Sequence, residues 1–454
     1  MTRSDPQFQS GRISAPLIAL IGAAAVLAAA AVLWSRSAAD PLEQQAEQFV
    51  ELALSVGIGY PDEIDAWFGP AALDPREPGK TAVPPAEILA EARELLADTS
   101  ALAAATPSAR SARLQQRLEK FVVLLETLVT PKALAFADEA FKLYNITLPP
   151  LQSAESHQAL LDAVEALLPG QGSLAFRVAA LQNKLVVPAD KRIAVFERAL
   201  QECRSRTLAH WTLPADEHLT LEWTRDVEAA WHRYQGNYQS TLQINSLALP
   251  FVGSALDVAC HEGYPGHHAQ FVLLENAVAP ATLNVEDQLA LLRSPESVLR
   301  EGAANYGVDL VFTPEERLTF EREVLLPLAG LSPELAEQNA AVQKAIGLLS
   351  DEVIPLLQEY RDGSLSFNSA TFRLEREAMV SSPSALLEYV DKFGAYSVGY
   401  TVAKQRLQDY IAARADADPW EILRRVLVET DVALLQTDST DNPAKAPADA
   451  GTTP

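Results

Sequence analysis

Positive charge is scarce in this sequence. Lys and Arg number 36 against 60 Asp and Glu, which leaves a formal charge of −24 at neutral pH. Nucleic acid and anionic lipid are held by clustered Lys and Arg, so this balance argues against a basic docking face and leaves cationic or neutral partners open. Cysteine is scarcer still. Cys203 and Cys260 are the only two; no disulfide framework is declared, a single bridge is neither required nor excluded, and two buried thiols are the expectation. The chain also lacks a repeat of fixed period and any linker-like composition between residues 40 and 435. With 48% hydrophobic residues it can bury a large core, so one helical catalytic unit of two lobes around a cleft is expected over 40–435.

Both ends stand apart from that body. Ala15 to Trp34 reads APLIALIGAAAVLAAAAVLW, without a charge, and about 20 helical residues cross the roughly 30 Å core of a bilayer. Arg3 and Arg12 precede the run. Residues 1–39 are therefore expected to form a single-pass anchor in a bacterial inner membrane with the body outside, or else a signal that is cleaved to release it. At the other end, residues 436–454 contain no aromatic side chain and cannot offset the entropy of ordering, so a loose tail is expected.

In between, helical periodicity dominates. Leu42, Ala46, Phe49, Val50, Ala53 and Leu54 share one face of a helix that opens after Pro41. Further helices are expected over 253–263, 284–293, 296–312 and 396–413, among others. The exception is 218–246, where HLTLEWT and NYQSTLQIN alternate polar and apolar residues, and Tyr238, Ser240, Leu242 and Ile244 would line one side of a strand. The fold class is thus mainly α, with a small β element before the motif that carries the chemistry.

That motif is HEGYPGHH, residues 261–268, which holds three of the chain's seven histidines. Zinc hydrolases commonly present H-E-x-x-H on one helix, but here Pro265 stands where the second histidine would be. In an unbroken helix His268 returns to the face of His261 after about 700° of rotation, whereas His267 does not. A break at Pro265-Gly266 would make His267 equally plausible. One of the two is expected to bind metal and the other to support the site. The third ligand is expected from SPESVLREGAANYGVDLVF, where Glu301 is followed by Gly302, Ala303 and Ala304, small residues that admit a neighbouring helix. Glu296 is the competing carboxylate, and Asn305 or Asp309 can support the ligands.

HEGYPGHHAQ followed by REGAANYGVDLVF, with FVELALSVGIGYPDEIDAWFGP upstream and GAYSVGYTVAKQRL downstream, resembles the DUF885 family of bacterial zinc metallopeptidases over most of residues 45–415. The resemblance implies a largely helical fold related to H-E-x-x-H peptidases, with the Pro-Gly insertion as a family trait. It implies Zn2+ as cofactor, held among His261, His267, His268 and Glu301. A peptide or related amide would be the substrate, and Glu262 the general base that takes a proton from the attacking water. Tyr396 or Tyr400 would donate to the developing oxyanion. If NYQSTLQIN were a free sheet edge, it could pair with an extended peptide, with Ser240 and Asn245 as contacts. Arg376, with Arg373, could hold a terminal carboxylate. An exported noncatalytic protein that binds metal or peptide on the same scaffold is the alternative reading.

Overall fold

The computed structural model describes residues 40–150, 153–227, 230–277, 284–430 and 432–436. The apolar run 15–34 and the tail from Thr437 lie outside these residues. Among the described residues no helix is long and apolar enough to cross a membrane.

The body is mainly α-helical with one small five-stranded sheet. Its first described helix, Pro41–Gly59, begins where the Asp40 carboxylate accepts from the Leu42 amide and Pro41 occupies the first turn. Ala46, Phe49, Val50, Ala53 and Leu54 are buried along it, as their helical spacing requires. The sheet contains β1 (Ile64–Trp67), β2 (His218–Trp223), β3 (Ala230–Gly236), β4 (Gln239–Ile244) and β5 (Leu289–Leu291), in the order β2-β4-β3-β1-β5.

Three sequence expectations need correction here. NYQSTLQIN is not a free edge, because β4 lies between β2, to which it is parallel, and β3, to which it is antiparallel. Its backbone groups are therefore engaged on both sides. Tyr238 does not join Ser240, Leu242 and Ile244 in the strand; with Asn237 it makes the tight turn between β3 and β4, both residues having positive φ (60° and 52°). Residues 284–293 form a short helical turn, Val285–Gln288, followed by β5 rather than one helix. A short apolar run such as Leu289–Leu291 fits a strand as well as a helix, and here pairing with β1 settles it.

One face of the sheet supports the motif. Ala66 of β1, Tyr234 of β3 and Ala290 of β5 pack against Phe271 and Val272, and the Tyr234 and Phe271 rings stack at 5.1 Å. Phe271 and Val272 belong to the helix His267–Ala277, so the sheet fixes the helix that opens with His267.

Candidate metal centre

The helix expected over 253–263 forms, and the chain breaks after it where Pro265 and Gly266 permit. The first motif helix runs Val252–Glu262 and ends at Gly263; the second begins at His267. Between them lie a cis Tyr264-Pro265 peptide bond and Gly266. The chain rejoins closely: the Gly266 amide donates to the Cys260 carbonyl at 3.1 Å, and the Ala269 amide donates to the Gly263 carbonyl at 3.1 Å. A Cβ on Gly266 would stand 1.6 Å from the His261 carbonyl oxygen, so only glycine fits. Gly266→Ala should therefore destabilise the fold by at least about 3 kcal/mol, read as a shift in the urea unfolding midpoint, because relief requires moving the backbone that carries His261.

The turn brings His267, not His268, to His261. The Nε2 atoms of His261 and His267 lie 3.2 Å apart, and Glu301 Oε2 is 3.2 Å from the first and 3.6 Å from the second. These three side chains are 13%, 12% and 9% exposed in the order His261, His267, Glu301, so the cluster is buried yet reachable. Glu301 sits mid-helix in Pro295–Val311, which Ser294 caps. Glycines close the space around it. A Cβ on Gly399 would stand 3.0 Å from Glu301 Cβ, and one on Gly302 would stand 2.7 Å from the Ala403 carbonyl carbon.

Two of the three side chains are aimed by a neighbour. Asn305 Oδ1 lies 3.1 Å from His261 Nδ1, and the Asn305 amide nitrogen donates to the Tyr400 carbonyl. Its Oδ1 is thereby turned to accept from His261 Nδ1–H, leaving Nε2 free toward the cluster. The Tyr396 hydroxyl donates to Glu301 Oε1 at 2.8 Å, while Glu301 Oε2 is buried with no hydrogen-bond partner. Burial favours the neutral form of Glu301, but the charge of His267 and the nearby His261 imidazole hold its carboxyl far below the usual range. Burial lowers His267, yet Glu301 outweighs it and raises the imidazole to about 9.

His268 is corrected as a ligand. It is fully buried, with Nε2 2.8 Å from Glu217 Oε2 and Nδ1 2.8 Å from Ser240 Oγ. Glu217 accepts also from the Tyr264 hydroxyl at 2.6 Å and from Arg204 at 2.5 Å. An ionised carboxylate can only accept. His268 therefore donates through Nε2 and accepts from Ser240 through Nδ1, and His232 Nε2–H, 2.9 Å from Ser240 Oγ, donates in turn. Both His268 nitrogens are committed. The network instead ties Tyr264 and His268, one on each side of the Pro-Gly turn, to one carboxylate.

These bonds, working against burial, hold the Glu217 carboxyl down at about 2, against an ordinary 4.5. A depressed carboxylate contributes stability that is complete above its unfolded-state pKa and is lost as pH falls through the folded one. Glu217→Gln should lower stability at pH 7 by on the order of 3 kcal/mol. The parent should converge on the variant between about pH 4.5 and 2, as measured by urea unfolding across that range.

The structure places the remaining candidates as follows. Glu262 ends the first motif helix, makes no hydrogen bond to the described residues and lines a cleft of about 1160 Å³ with His261, Asn305 and Tyr400. Burial raises its carboxyl. Tyr400 is partly exposed there, its hydroxyl 3.1 Å from that of Tyr389. Tyr396 is corrected as an oxyanion donor: it is 1% exposed and stands behind Glu301, bonded to it and to Ser297. Ser240 is buried in the histidine network, and Asn245 bonds the Leu247 amide and the Val227 carbonyl; neither lines the cleft. Arg376 lies over the Phe372 ring and Arg373 pairs with Glu359 and Glu377, so neither is a cleft residue. Glu296 pairs with Arg117 and Asp309 with Lys404. The cysteine expectation is also corrected: Cys203 and Cys260 form a disulfide. The bridge ties the residue before His261 to the helix Arg192–Thr207 and closes a loop of 57 residues, a constraint worth about 4 kcal/mol in the chain-entropy view.

Sequence reasoning missed Glu217 and Asp65, the latter on the cleft side of β1. Each is a single acidic residue without a spacing that links it to the motif. No family model matches the chain, and no curated protein matches it. Solved structures that resemble it include a candidate lipoprotein from Colwellia psychrerythraea, with 15% identity and a TM-score of 0.46 over 79% of this chain and 67% of that one. Another is a candidate lipoprotein of unknown function from Shewanella oneidensis, with 13% identity and a TM-score of 0.44 over 78% of this chain and 72% of that one. Likenesses this remote carry no argument about what the chain does.

Proposed function

We propose that the body is a zinc-dependent hydrolase of peptide or related amide bonds, with zinc held by His261, His267 and Glu301 and with Glu262 as general base. One observation carries the reading. A tetrahedral zinc with bonds of roughly 2.0–2.1 Å keeps its ligand atoms about 3.3 Å apart, and the three separations here are 3.2, 3.2 and 3.6 Å. The donor set fits too: two imidazoles plus a buried carboxylate oxygen that has no hydrogen-bond partner.

When bound, zinc supplies Lewis acidity that lowers the pKa of a water and polarises a carbonyl. The chain's own residues do the rest. Asn305 and Tyr396 hold His261 and Glu301 in their binding orientation. Glu262, which has no hydrogen-bond partner and faces the cleft, takes the proton of the attacking water and returns it to the leaving amine. Tyr400 is the cleft phenol available to donate to the developing oxyanion; burial keeps it protonated. The disulfide supports a body outside the cytoplasm, where such bridges persist, in keeping with the anchor or signal read from the sequence.

The test is to strip the soluble body with a chelator, restore zinc and screen a peptide library by mass spectrometry. Cleavage that requires zinc is expected. A fully zinc-loaded protein that cleaves nothing would leave noncatalytic binding as the function.

A further inference from the structure

Alternation in β1 sends Ile64 and Ala66 into the core and Asp65 to the cleft that Glu262 and His261 also line. The Asp65 side chain is 21% exposed and makes no hydrogen bond to the described residues. Arg300 Nη2 stands 4.0 Å from Asp65 Oδ2, beyond hydrogen-bond reach. The Arg300 guanidinium lies over the Phe271 ring, with Nε and Nη2 making no hydrogen bond. Of the other cations that line the cleft, Arg76 is bound to Asp74 and Lys392 to Asp62, and Arg233, on β3, makes no ion pair with Asp65. A largely buried carboxylate without a hydrogen bond is costly. The cost is recovered when a bound molecule brings a donor.

Asp65 also lies close enough to the cluster for its charge to act on His267 and Glu262. Trp67, the next residue of β1 on the same side, lines the same cleft and offers an apolar wall.

We infer that Asp65 is a substrate-binding carboxylate that receives an ammonium group, so that the cleft selects amides bearing either a free amino terminus or a basic side chain near the cleaved bond. The inference rests on reading the cleft as the site of amide hydrolysis. It names the substrate class that this cleft takes. A charge-assisted hydrogen bond of this kind corresponds to about 10- to 100-fold in affinity.

The test is a binding measurement that does not depend on turnover. The zinc-loaded Glu262→Gln protein is titrated by calorimetry with trialanine amide, with its N-acetylated form, and with acetyl-Ala-Lys-Ala amide. Tighter binding of the first probe over the second by at least about tenfold assigns the site to the amino terminus, and tighter binding of the third assigns it to a basic side chain. In either case Asp65→Asn, with its zinc content and unfolding midpoint checked against the parent, should abolish the preference. Equal binding of all three probes, binding of none, or a preference that survives Asp65→Asn overturns the inference. Should the parent cleave no peptide while an Asp65-dependent preference appears, the hydrolase reading fails and the ammonium site stands.

Discussion

Glu262→Gln should reduce kcat by about 10²- to 10⁴-fold, with KM little changed and the metal retained. The prediction follows from position. Glu262 follows His261 directly, about 100° further around the helix, and its side chain faces the cleft without a hydrogen-bond partner, while the three clustered atoms come from His261, His267 and Glu301. Gln preserves shape and removes the capacity to accept a proton. Turnover of the best library substrate and metal content on the same preparation separate the two effects. A variant that loses metal along with activity would make Glu262 a ligand, and one that keeps its activity would remove it from the chemistry.

Glu301→Ala should empty the site. In the proposed site the carboxylate is the one anionic ligand, and its Oε2 has no hydrogen-bond partner, so metal affinity should fall by more than the roughly 10- to 100-fold expected for an outer residue. Tyr396→Phe supplies the comparison. It removes only the 2.8 Å hydrogen bond that orients Glu301, so its loss should stay within about 10- to 100-fold. Competition with a zinc-binding dye measures both. Equal losses would mean that Glu301 is no more than a supporting group.

Much of this was legible in the chain, and what was not has identifiable causes. The helix after Pro41 and the glutamate-bearing helix follow from local spacing, which acts within a few residues. Glu301 was marked by the small residues after it, and Gly302 does meet the neighbouring backbone at Ala403. The choice between His267 and His268 was not legible, because it depends on the path of the backbone through Tyr264, Pro265 and Gly266. Long-range partners were invisible for the same reason. Glu217 reaches His268 across 51 positions, and Cys203 reaches Cys260 across 57, with no periodicity to link either pair. Ser240 illustrates how a correct strand can carry a wrong role: its alternation was real, but β2 covers the edge that a peptide would have needed.

The most direct test of the proposed metal centre is zinc content by plasma mass spectrometry on the body, parent beside His267→Ala and His268→Ala. About one zinc per chain in the parent, near none in His267→Ala, and a stoichiometry close to the parent's in folded His268→Ala is the predicted result. A parent that stays metal-free when zinc is offered, or a His267→Ala protein that still holds its zinc, would contradict it.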